Sequence, residues 1–156
     1  MREETHAVSF VSGCCMLFPR WALDSLGLFI QDFFCYSEDN EWSWRATSAG
    51  AHLFYVPSAK LWHQVSASAG KNDQAGVSAS IPASSWYFMI RNHLWTLRLW
   101  ARPPIRKYLA LSASVAIELR MIASHLAKAE HSQASAIFRG MCDGIWKPVP
   151  KWSSDR

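Results

Sequence analysis

No long apolar run occurs in this sequence. Nothing approaches the ~18–20 consecutive apolar residues that cross a bilayer, and the charge-free part of the C-terminal half, Tyr108 to Ile117, is too short. Met1 to His6 are charged and have no apolar centre, so they do not make a signal peptide. There is no Cys-x-x-Cys pair, which argues against a zinc ribbon, and no His-Glu-x-x-His. A glycine-rich phosphate loop is also missing. Acidic residues are few, 12 against 16 Lys and Arg, for a net charge of +4. That excess is mild and scattered. It suits an anionic substrate or an anionic membrane face, and does not indicate nucleic acid. The expected location is the cytoplasm, with a peripheral membrane contact left open.

Hydrophobic and aromatic residues, by contrast, are plentiful. Half the 156 residues are hydrophobic, 13% are aromatic and nine are tryptophan. That is enough for one packed core, and the tryptophans suit ligand surfaces as well as interiors. The four cysteines, Cys14, Cys15, Cys35 and Cys142, read as small buried residues of a reducing compartment. Cys14 and Cys15 are expected on opposite faces of a strand.

The most distinctive stretch runs from Phe29 to Arg45. Its aromatic part, with Phe33, Phe34 and Tyr36, calls for burial and reads as extended. Glu38, Asp39 and Glu41 follow directly. Ser37 or Asp39 suits a helix N-cap, and carboxylates in a first turn suit the positive end of the helix dipole. The pattern predicts a helix from about Glu38 to Ala49, closed by a left-handed Gly50. On local pattern, Glu38 and Asp39 either cap this helix or face a cleft.

Around this centre the chain reads as alternating elements. Residues 1–7 are polar and loose. Val8 to Phe18 predicts a buried strand in which Gly13 marks either a bulge or a close approach. A short helix is expected from Arg20 to Leu26, closed by Gly27. His52 to Val56 reads as a short strand, Ala59 to His63 as a second extended piece, and 64–82 as a long polar loop. A helix is expected from Ser84 to Trp100. Arg102-Pro103-Pro104 breaks it, and a last long helix runs from Ile105 to Glu130. That helix packs on its neighbour or lies on a membrane surface. A shorter helical piece ends near Gly144.

Residues 9–68 resemble the C-terminal half of the nucleotide-sugar-binding domain of family-2 glycosyltransferases of the rhamnosyltransferase type. The likeness rests on Val11-Ser12-Gly13-Cys14-Cys15-Met16-Leu17, Ala22-Leu23-Asp24-Ser25-Leu26-Gly27-Leu28-Phe29 and Asp32-Phe33-Phe34. It continues with Tyr36-Ser37-Glu38-Asp39, Arg45-Ala46, Ala49-Gly50, Tyr55-Val56-Pro57-Ser58-Ala59 and His63. It is the order and spacing of these words together that is specific.

The resemblance implies an α/β class: the C-terminal part of a GT-A-like, Rossmann-like domain over 1–83, a helical extension over 84–147 and a tail over 148–156. It implies inverting sugar transfer from a nucleotide-sugar donor to a glycan or lipid-linked acceptor, in bacterial polysaccharide synthesis. Asp39 is then the base, and Glu38 holds an acceptor hydroxyl or orients its neighbour. Gly13 and Arg45 fall on the substrate side. Trp42 and Trp44, beside the acids, either stack on a sugar ring or pack in the core, and at least one of them is expected in the core. The Arg91-Asn92 pair also has a family counterpart, and Arg91 meets either a phosphate or a core-edge acid. His63 is implied as a contact to a divalent ion, Mg²⁺ or Mn²⁺, or to the diphosphate. The family's Asp-x-Asp metal motif is not found here. The donor-binding half is therefore expected elsewhere, on a longer chain or a partner. The alternative is a non-catalytic module that binds a glycan or lipid-linked acceptor.

Overall fold

The structure, a computed structural model, describes residues 4–62 and 81–150. In chain order they form β1 (His6–Val8), α1 (Arg20–Leu26), a 3₁₀ turn (Gln31–Phe33), α2 (Glu38–Ser48), β2 (Leu53–Tyr55), α3 (Ala83–Trp100), α4 (Pro104–Ala127) and α5 (His131–Trp146). The loop expected over 64–82 lies almost wholly outside the described residues, and so does His63.

The short strand expected over His52 to Val56 is present as β2. Among the described residues the sheet is a single antiparallel pair, β1 on β2, with Ala7 opposite Phe54. Its first strand falls within and just after the stretch expected to be loose. The strand expected over Val8 to Phe18 is absent beyond Val8. Val11, Met16 and Phe18 instead pack as irregular chain on Ala22, Trp42, Ala46 and Leu53. Their hydrophobicity reflects burial against helices, not sheet pairing. Cys14 and Cys15 are exposed, contrary to expectation. The described part is thus mainly helical, and it does not display the expected parallel sheet.

The helix boundaries follow their signals. Pro19 precedes α1, and Gly27 ends it at φ 74° with its N–H on the Leu23 carbonyl. Gly50 takes φ 86° behind α2, a backbone conformation that glycine adopts without steric penalty. Pro104 opens α4 at its first position. α4 has 24 residues and is long and apolar enough to cross a membrane by length and composition alone. Counting uncharged residues in a row had missed this.

α5 meets the expected helical piece and ends two residues past Gly144, so Gly140 and Gly144 both lie within it. Both glycines face α3. A Cβ on Gly140 would lie 2.6 Å from the Tyr87 carbonyl oxygen, and one on Gly144 would lie 2.7 Å from Leu94 Cδ1. The two helices approach so closely that their contact has no room for a methyl group. Around them Ile90, Leu94, Ile137 and Met141 form the main helical core. Gly140→Ala is therefore expected to destabilise the fold by about 1–3 kcal/mol, despite alanine's better helix propensity. Urea unfolding of the two proteins checks this, and equal midpoints would show that the helices can move apart.

The Phe29–Tyr36 arm is not a strand. Phe33 is fully buried against Ile30 and Trp95. Phe34 and Tyr36, expected to be buried, are exposed. The chain turns sharply here: Phe34, Tyr36 and Ser37 all have φ between 60° and 68°. Each such residue costs on the order of 1–3 kcal/mol and persists only where its surroundings over-determine it.

Candidate functional site

α3 supplies those surroundings. Asn92 is completely buried, and its Nδ2 lies 2.7, 2.7 and 2.8 Å from the carbonyl oxygens of Phe33, Cys35 and Tyr36. Arg91 donates to the Asp32 carbonyl at 2.7 Å and lies over the Trp95 ring at 4.2 Å. Its Nε bonds Asn92 Oδ1. Among the described residues Arg91 thus forms no salt bridge with an acid; backbone carbonyls, Asn92 and the Trp95 ring hold it. Together the pair clamps the turn that delivers the chain into α2.

Glu38 and Asp39 emerge from that clamp in the first turn of α2. Ser37 is the N-cap residue but makes no side-chain cap bond. Asp39 reaches instead across to the irregular segment, where its Oδ2 accepts the Gly13 N–H at 2.8 Å. Its Oδ1 accepts the Asn40 N–H at 2.8 Å. A Cβ on Gly13 would come within 3.3 Å of Asp39 Cβ and Oδ2. So the close approach read at Gly13 is that of Asp39 itself. Each carboxylate oxygen retains acceptor capacity beyond these single bonds.

Both acids line a cleft of about 780 Å³ between α2, the Ser12–Cys14 turn and the helical layer. The far wall is Trp86, Met89, Ile90 and His93 of α3 with Met121 of α4. None of these five was singled out from sequence as a site residue: Trp86 and Ile90 read as an apolar helix face, and His93 belongs to no ligand spacing. His93 Nε2 lies 3.0 Å from Ser114 Oγ. His93 keeps exposed surface, yet the packing around its ring holds the imidazole below its ordinary pKa by desolvation. Glu38 is shifted the other way. Burial raises its carboxyl, the Asp39 charge adds to this, and Oε2 is buried without a hydrogen-bond partner.

Trp42, Trp44 and Arg45 do not line the cleft. Trp42 is 4% exposed, its ring is edge-on to Phe18 at 4.5 Å, and its Nε1 donates to the Gly27 carbonyl. That packing makes it a core residue, not a sugar platform. Trp44 is half-buried and does not line the cleft. Arg45 is buried in an ion pair with Glu41 at 2.8 Å and donates to the Leu26 and Leu28 carbonyls. Glu41, 1% exposed, is its partner inside the fold and not a surface acid. These two form an i, i+4 pair on the inner face of α2, so Arg45 is used internally. Among the described residues no three His, Cys, Asp or Glu side chains stand close enough to hold a metal ion.

A second unpartnered acid lies away from the α2 carboxylates. Glu118 of α4 is 2% exposed, its Oε2 has no partner, and burial raises its carboxyl from 4.5 to about 7. The folded chain therefore holds a proton between those pH values that the unfolded chain has released. The stability that Glu118 contributes is full below pH 4.5 and is lost as pH rises through that window to about 7. Glu118→Gln is expected to raise the melting temperature at pH 8 by several degrees, through roughly 1–3 kcal/mol, and to change it little at pH 4. A pH-independent effect in thermal melts would refute this.

Comparison with known proteins identifies relatives of this chain. Two curated relatives are 34% identical to this chain over 99 residues. Both are N-acetylglucosaminyl-diphospho-decaprenol L-rhamnosyltransferases of Mycobacterium tuberculosis, from strains CDC 1551 / Oshkosh and ATCC 25618 / H37Rv. The match covers 64% of this chain but only 31% of each relative. No solved structure matches. The family model for glycosyltransferase-like family 2 matches residues 1–94, a span that holds Gly13, Glu38, Asp39 and the Arg91-Asn92 clamp, and the chain belongs to that family.

Proposed function

We propose that this chain forms the acceptor and base side of an inverting glycosyltransferase, the C-terminal part of a GT-A-like domain with its helical extension. The observation that carries the reading is Asp39: a carboxylate held by the Gly13 N–H, in the first turn of a helix, at the wall of a cleft of about 780 Å³. Such a group can take the proton of an acceptor hydroxyl as that oxygen bonds the anomeric carbon. The bond from that carbon to the donor's diphosphate breaks in the same step, and the nucleoside diphosphate departs. Glu38, lining the same cleft beside Asp39, is placed to hold an acceptor hydroxyl or to orient its neighbour.

The mixed lining of the cleft fits a sugar next to an apolar group. The relatives are named for a decaprenol-linked acceptor, and a lipid-linked or glycan acceptor in bacterial envelope synthesis is the corresponding substrate here. The nucleotide-sugar and any Mg²⁺ or Mn²⁺ belong to a donor-binding half beyond the described residues, and no step of this reading runs through a metal. The location proposed is the cytoplasm, at the membrane face. The test is donor-dependent sugar transfer to a lipid-linked acceptor by this polypeptide together with a donor-binding half. Acceptor binding in the Asp39 cleft without any transfer would favour the alternative of a non-catalytic acceptor-binding module.

A further inference from the structure

α4 is built to be covered on two sides, and the fold covers one. Its inner face buries Ser114 and Glu118 and packs Leu111, Val115, Met121 and Ile122 toward α3 and α5. Its outer face carries Ile105, Tyr108, Leu109, Ile117, Leu119 and Leu126, each between 49% and 67% exposed. At about 100° per residue these positions spread over roughly half the helix circumference. Surface helices of soluble proteins turn polar residues outward, and an apolar surface this continuous marks an interaction site.

Charge selects the partner. The helix carries Arg106, Lys107 and Arg120, with Lys128 one residue past its end. Its single carboxylate, Glu118, is buried on the opposite face. The accessible surface of α4 therefore combines apolar side chains with cations and no acid, the pattern of helices that lie in the interface of an anionic bilayer. A spanning arrangement would strip α4 from the helices it packs on.

We propose that α4 docks by this outer face, lying flat on an anionic lipid surface. Met121 of the same helix lines the Asp39 cleft, so docking holds the cleft beside the lipid. The inference rests on α4 itself and not on the transferase reading, because vesicle binding is measured with no sugar donor present.

The test is flotation of the full chain with vesicles of phosphatidylcholine alone or with about a third phosphatidylglycerol, since aggregates sink while bound protein rises. The wild type is expected to float with the anionic vesicles and to be released by high salt. Leu109→Glu with Ile117→Glu should cut the floated fraction at least about tenfold at unchanged far-UV circular dichroism. Replacing Arg106, Lys107 and Arg120 by Gln should weaken anionic binding on the order of a hundredfold and leave any binding to neutral vesicles as it was. Folded wild type that fails to float overturns the proposal. So does unaltered binding of both variants, retention through high salt and alkaline wash (a spanning helix), or a dimer that the Glu variant dissolves without any vesicle binding.

Discussion

Arg45→Ala is expected to cost about 3–5 kcal/mol, much of the stability of a domain this size. The reason lies in what remains after the guanidinium is gone. Glu41 would stay 1% exposed as a charge without its partner, and the Leu26 and Leu28 carbonyls would lose their donor. The ion pair itself adds little beyond the cost of burying two charges; its disruption is what is expensive. Glu41→Gln combined with Arg45→Met, which removes both charges, should therefore be clearly less harmful than Arg45→Ala alone. Denaturant midpoints of the wild type, the single and the double variant check this. A single variant within 1 kcal/mol of wild type would mean that water reaches Glu41.

The second large effect is chemical. Asp39→Asn should lower sugar transfer by about 10²–10⁴-fold, the range for losing a positioned general base. Stability should change little, because an amide oxygen can still accept one backbone N–H at the Gly13 side. Measurement in the presence of a donor-binding half separates the two: kcat falls while acceptor affinity and unfolding midpoint hold. Wild-type turnover in the Asn variant would remove Asp39 from the mechanism. Loss of folding along with turnover would recast it as a structural tie between the Gly13 turn and α2.

The helices were largely legible in the sequence because their ends carry local chemistry. Gly27, Gly50 and Pro104 each mark a boundary that the backbone respects. The acidic first turn of α2 and the Arg91-Asn92 pair were likewise visible as words. What could not be read was which side chains those words would meet. Arg45 looked like a substrate ligand, but a buried Glu41 four residues earlier claims it. Trp42 looked like a sugar platform, but the inner face of α2 carries it into the core. The far wall of the cleft comes from residues about 50 to 80 positions later in the chain, and local pattern shows there only apolar side chains and a lone histidine. β2 was legible, but its partner β1 was not: three residues in a polar stretch are too few for alternation to register.

The three left-handed residues ahead of α2 have a mechanical consequence. A turn held in such a conformation has no slack, and it is tied to a single side chain, Asn92, at three carbonyls. Any roll or slide of α3 is therefore transmitted stiffly to the two carboxylates that follow. In effect α3 and the start of α2 share one joint, and Asn92 is its pin.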